Sequence, residues 1–199
     1  MSGATAGGLI GRPLLRQEDP RLVRGEGSYV GDVALPGMAH LAALRSPHAH
    51  ARLGKTDFTA AAKLPGVLAI IAAGDIASLK PLPVLNRPPG QRQSAFPILP
   101  ADKVIYAGQP VAVVVADSRA VAEDALELMR VTYEPQPAVT DSDAAMRDGA
   151  PRLYEDWPDN IVGSRTIGAG EPDRVFASAH TVIEADFTTP RQTAAPMEG

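Results

Sequence analysis

A mixed α+β fold is what the sequence predicts, and three observations predict it. Apolar runs of strand length stand at residues 67–72 and 111–115, and Val131-Thr132-Tyr133 reads as another strand. One amphipathic helix, reaching to about residue 129, lies between the last two of these segments. The 19 prolines and 18 glycines cluster, so long irregular segments must join the regular elements. At 199 residues the chain has room for one ordinary core and an appendage. The organisation expected is an N-terminal extended arm over 1–24, an α+β domain over 25–138, and a segment over 139–199 that begins a second domain without completing it.

Each element has its own signal. The arm starts with Gly and Ala and carries Gly11-Arg12-Pro13 and Glu18-Asp19-Pro20, whose prolines disfavour helix in the residues before them. Pro36-Gly37 makes a turn into a strand over 38–44, which Arg45-Ser46-Pro47-His48 ends. Thr56 or Asp57 caps a short helix through Ala60-Ala61-Ala62, and Leu64-Pro65-Gly66 stops it before the strand at 67–72. Six prolines between residues 81 and 100 exclude helix and inner strand there, leaving a long surface loop. Gly108-Gln109-Pro110 then opens the strand at 111–115, with Asp117 or Ser118 as the cap of the following helix.

On that helix Val121, Ala122, Ala125, Leu126, Leu128 and Met129 form the apolar stripe, opposite Glu123, Glu127 and Arg130. Glu134-Pro135 closes the strand at 131–133. Beyond it stand a helical piece at 141–147, an aromatic loop through Tyr154 and Trp157, a helical turn near 171–177, and a strand over 181–188. In that last strand Ile183, Ala185 and Phe187 face inward, Glu184, Asp186 and Thr188 outward, with Val182 as the apolar exception.

The net charge of −4, with scattered lysines and arginines, leaves no basic stripe for phosphates, so no nucleic-acid partner is expected. The longest apolar runs fall far short of the ~20 residues of a membrane span, and the N-terminus lacks the layout of a secretory signal. A cytoplasmic protein is the simplest expectation. With no cysteine, neither an iron–sulfur cluster nor a thiolate zinc site can be built from this chain.

Other motifs read as structure. Gly25, Gly27 and Gly31 are spaced one residue too long for a dinucleotide loop and follow no strand, which makes them turn glycines. His48 and His50 have the alternation of a metal pair, but Pro47 makes a turn and no third ligand follows at a telling spacing. His40 and His180 lie singly and read as surface or packing residues. There is no Gly-x-Ser-x-Gly elbow and no Walker loop.

In series, Gly11-Arg12-Pro13, Glu18-Asp19-Pro20-Arg21-Leu22, Gly25-x-Gly27-x-Tyr29, Leu35-Pro36-Gly37-Met38, Arg45-Ser46-Pro47-His48-Ala49, Leu64-Pro65-Gly66-Val67, Gly108-Gln109-Pro110-Val111-Ala112, Ala122-Glu123-Asp124-Ala125 and Tyr133-Glu134 resemble the start of one protein family. It is the molybdopterin-binding large subunit of the xanthine dehydrogenase, aldehyde oxidase and carbon monoxide dehydrogenase family, and the resemblance covers nearly the whole chain. It implies that 25–138 is an α/β hammerhead domain and that 139–199 begins a molybdenum-binding domain. It implies a molybdenum–molybdopterin cofactor shared with a remaining molybdopterin-binding polypeptide, and FAD and 2Fe–2S groups carried on partner subunits. The activity implied is oxidation of a carbon centre with water-derived oxygen, electrons passing to the iron–sulfur and flavin partners.

The resemblance also gives the tail, Gln192-Thr193-Ala194-Ala195-Pro196-Met197-Glu198, its meaning. The family carries there a glutamine whose side-chain amide approaches an oxo ligand of the molybdenum, and Gln192 matches it as catalytic and cofactor-binding residue, with no metal ligand. Some members have His two residues on, where this chain has Ala194, which leaves the substrate open among carbon monoxide, aldehydes, purines and other N-heterocycles. From spacing alone Gln192 reads as a strand-end amide bonded to backbone. The pterin-holding loops and the glutamate base of the family have no counterpart in these residues, so the isolated chain is expected to be inactive, the front portion or split subunit of a larger assembly. The alternative is a non-catalytic hammerhead module that only binds companion subunits.

Overall fold

The structure is a computed structural model that describes residues 13–83, 90–94, 96–190 and 192–195. The chain divides into two compact units, one of residues 1–36 with 183–199 and the other of residues 37–182.

In the first unit the arm is not wholly extended. Helix α1 (Asp19–Leu22) has Pro20 in its first turn, where the missing N–H has no intrahelical partner to lose. Pro20 therefore starts a helical turn rather than forbidding one. A 3₁₀ turn follows at Val30–Asp32, and the Asp32 carboxylate accepts the Tyr29 N–H at 3.0 Å. Residues 183–188, expected as part of a strand, form none: Ile183 is 87% and Phe187 91% exposed. Alternation specifies a face, but a strand also needs a backbone partner, and none of the described ladders includes these residues.

The second unit holds the core. Its strands are β1 (His40–Arg45), β2 (Ala51–Asp57), β3 (Val67–Ala72), β4 (Lys103–Val104), β5 (Pro110–Ala116) and β6 (Arg130–Pro135). Its helices are α2 (Thr59–Ala62), α3 (Arg119–Leu128), α4 (Ser142–Ala145) and α5 (Pro172–Ser178). Two antiparallel three-stranded sheets form, in the orders β1-β5-β3 and β4-β2-β6. Ala112, Val114 and Ala116 of β5 are buried; Ala112 and Val114 pack with Ala61 of α2 and Ala125 and Met129 of the α3 stripe. A second cluster, Ala51, Val104 and Val111, ties the two sheets together, with Leu53, Val131 and Tyr133 against it.

Strand β2 escaped the sequence reading because only one face of it is apolar, at Ala51 and Leu53, and its other residues are mostly exposed. Gly54 lies in its irregular stretch, where a Cβ would come within 3.3 Å of Thr132. The helix expected from Thr56 or Asp57 begins later, because β2 runs to Asp57; Asp57 then accepts the Thr59 N–H at 3.0 Å. Ser118 is the α3 cap, its Oγ accepting the Val121 N–H at 3.3 Å. Asp141 caps α4 in the same way at 2.7 Å from the Ala144 nitrogen.

Candidate functional site

Two of the sequence motifs meet in space. Arg45-Ser46-Pro47-His48 leaves β1 and Gly108-Gln109-Pro110 enters β5, and the two interlock. The Ser46 N–H donates to Gln109 O at 2.9 Å, the Gly108 N–H to Ser46 O at 2.8 Å, and Arg45 Nη1 to Gly108 O at 2.9 Å. Ser46 and Gln109 are the buried polar residues of the described chain. Ser46 Oγ accepts the His48 N–H and donates to His48 O, both at 3.0 Å, while Gln109 Oε1 accepts the Ile105 N–H at 2.8 Å. Each amide and hydroxyl here completes a turn, so this junction is architecture that fixes how one sheet meets the other.

Beside it lies a cleft of about 240 Å³ lined by Pro97, Pro100, Asp102, Lys103, Gln109 and Tyr154, among others. Lys103 closes one wall, donating to Leu153 O and to the Glu155 carboxylate, which also meets Arg52 Nη2 at 3.3 Å. The Lys103 hydrogen bond holds the Glu155 carboxyl below its ordinary value. The aromatic loop is fastened at a second point by Arg92, which pairs with Asp159, donates to Ile161 O at 2.9 Å and lies 5.6 Å from the centre of the Trp157 ring. The Arg92 hydrogen bond lowers the Asp159 pKa. Asn160 completes the brace, donating to Ala145 O and Pro151 O and accepting the Leu153 N–H. Sequence reasoning missed Arg92, Lys103, Asp159 and Asn160; the one signal was the pair Tyr154 and Trp157, whose rings pack at 4.7 Å.

The predicted site residue stands apart from these. Gln192 is exposed, in a short irregular stretch, and its carboxamide makes no hydrogen bond among the described residues. Pro196, Met197 and Glu198 of its motif lie outside the described residues. His48 packs its ring 5.0 Å from that of Tyr133, and His50 Nδ1 lies 2.9 Å from Pro137 O, so these imidazoles have structural partners. His180 is exposed and His40 half-buried in β1. No group of three His, Asp or Glu side chains able to hold a metal ion occurs among the described residues. What Gln192 can offer a bound molybdenum–pterin group is a neutral amide, a hydrogen-bond donor and acceptor rather than a charged ligand.

Comparison with known proteins places these observations. Residues 24–137 match the family profile described as aldehyde oxidase and xanthine dehydrogenase, a/b hammerhead domain. The carbon monoxide dehydrogenase large chain of Afipia carboxidovorans is 41% identical over 196 residues, covering 92% of this chain and 24% of its own length. The nicotine 6-hydroxylase large subunit of Paenarthrobacter nicotinovorans is 35% identical over 191 residues, covering 96% of this chain and 23% of its own. Among solved structures, quinoline 2-oxidoreductase from Pseudomonas putida 86 superposes with a TM-score of 0.75 at 40% identity, over 86% of this chain and 22% of that one. The chain thus spans about a quarter of the length of the curated relatives it matches. With more than half of its residues inside the profile and the hammerhead fold shared with solved relatives, the chain belongs to the xanthine dehydrogenase, aldehyde oxidase and carbon monoxide dehydrogenase family of molybdenum hydroxylases.

Proposed function

We propose that this chain forms the hammerhead portion of a molybdenum hydroxylase large subunit and sets one amide beside the cofactor. The complete assembly oxidises a carbon centre with oxygen drawn from water and passes electrons to 2Fe–2S and FAD subunits. On this reading 1–24 is an arm along a neighbour, 25–138 the hammerhead domain and 139–199 the opening of a molybdenum-binding domain, in a cytoplasmic enzyme. No described helix is long and apolar enough to cross a membrane.

The observation that supports the proposal is the exposed carboxamide of Gln192, free of hydrogen bonds among the described residues, in a chain whose match to a large subunit of this family covers 92% of its length. A bound molybdopterin group supplies the redox chemistry. Gln192 supplies an oriented N–H donor that stabilises negative charge gathering on oxygen, a contribution of roughly 1.5–3 kcal/mol when the site is dry and the alignment good. Gln192→Ala in the cofactor-loaded assembly is therefore expected to lower kcat by about 10- to 100-fold with molybdenum content unchanged. Activity and molybdenum content both indifferent to the change would refute the role.

A further inference from the structure

The β1-β5-β3 sheet has two apolar faces, and the second unit covers only one of them. Along β5, Ala112, Val114 and Ala116 are buried, and Ala112 and Val114 face the cluster made with α2 and α3. Val111, Val113 and Val115 point to the opposite side. Register places Leu41 and Ala69 beside Val115, and Ala43 and Ile71 beside Val113, so all six share that opposite face. At one end the face is closed, because Val111 is buried against Ala51 and Val104 of the other sheet. From Val113 onward it is open: Val113, Val115, Ala43 and Ile71 are half-buried, Ala69 is exposed and Leu41 is 64% exposed. Neighbouring Leu68, at the irregularity of β3, is 62% exposed.

We propose that this open face is a docking surface for an apolar helix or strand layer from the portion of a family-length polypeptide that lies outside residues 1–199. Three observations choose that occupant. The face carries no charge, as a core layer does, whereas transient partners meet more polar surfaces. Three strands about 4.8 Å apart and two side-chain rows deep give a footprint of about 200 Å², against the roughly 800 Å² per partner of a stable complex. A second copy or a free protein would not be held by so small a patch, but a tethered layer avoids most of the entropic cost of association. The relatives are about four times as long as this chain, so the family has polypeptide to supply the layer, and it would continue the packing already begun over Val111.

The inference rests on the chain working within a family-length large subunit, but on neither Gln192 nor the redox reaction. Because these 199 residues hold no cysteine, Leu41→Cys, Ala69→Cys and, on the solvent side of α3, Arg119→Cys are single handles within them, and in the longer polypeptide labelling is read on the peptides that carry positions 41, 69 and 119. Maleimide labelling is compared between the isolated chain and the chain joined to the remaining three-quarters of a family large subunit. The expected result is labelling at 41 and 69 at least tenfold slower in the longer polypeptide, equal rates at 119, and a monomeric isolated chain. Equal rates at 41 and 69 in both proteins overturn the proposal, as does protection at these positions in a dimer of the isolated chain. As a second measurement, Leu41→Lys with Ala69→Lys should leave the urea midpoint of the isolated chain unchanged and lower the soluble yield of the longer polypeptide; an unaffected yield also counts against it. Turnover and molybdenum content of the same longer protein report separately on the catalytic reading.

Discussion

Gly66 has φ of +92°, and a Cβ there would stand 2.7 Å from Asp117 Oδ1, while the Asp117 N–H donates to Gly66 O at 2.9 Å. Two penalties fall on one position, the left-handed backbone and the carboxylate above it. Gly66→Ala is expected to destabilise the isolated chain by about 2 kcal/mol in urea titration, with Asp117→Ala relieving part of the loss in the double variant. Gln192→Ala is the opposite case: with an exposed side chain, it should leave that stability within about 0.5 kcal/mol. Leu64-Pro65-Gly66 was legible in sequence as a helix stop, because glycine and proline act through their own backbones. The partner that makes Gly66 obligatory sits 51 residues further on, and local pattern carries no record of it. Gln109 was legible only as part of a motif; its burial depends on the turn it closes with Ile105.

Elements whose pattern is self-sufficient came through. Helix α3 has a cap, a stripe and a stop, and Ser118→Ala should cost about 1 kcal/mol in the same titration. Strand β2 and residues 181–188 show the two ways pattern fails. The first is a poor strand by composition held by β4 and β6 on either side, and the second a good strand by alternation that pairs with none of the described strands. The stretch from α4 to Ile161, thin in sequence pattern, is held by ion pairs and by Asn160. Asp159 and Glu155 lie below their ordinary values of 3.8 and 4.5. A depressed carboxyl stabilises the docked loop above its ordinary value, and that contribution disappears as pH falls through the folded value. Acid titration should therefore expose Trp157, the sole tryptophan, below about pH 4, read as a red shift of its fluorescence. Arg92→Ala should produce the shifted spectrum already at neutral pH.

At the scale of the whole molecule, stability is concentrated in residues 37–162, while residues 163–190 are exposed throughout. Hydrogen exchange on the isolated chain is expected to protect β5 most, the docked loop less, and residues 163–190 hardly at all. Family membership was legible from motifs in series because they mark turns and strand entries, where the backbone itself calls for glycine, proline or a capping side chain. The substrate was not, because no described cleft collects groups able to select one. The strand orders carry one more consequence. β1 and β3 are separated by β5, which the ribosome makes last of the three, and β2 lies between β4 and β6, which also follow it. A nascent chain that ends before Pro110 thus holds the outer staves of the first sheet without its central one; that sheet can close once Ala116 has emerged, whereas the second waits for β6 to end at Pro135. Synthesis of this protein should lean on chaperones until β5 is out and release the last of them after β6.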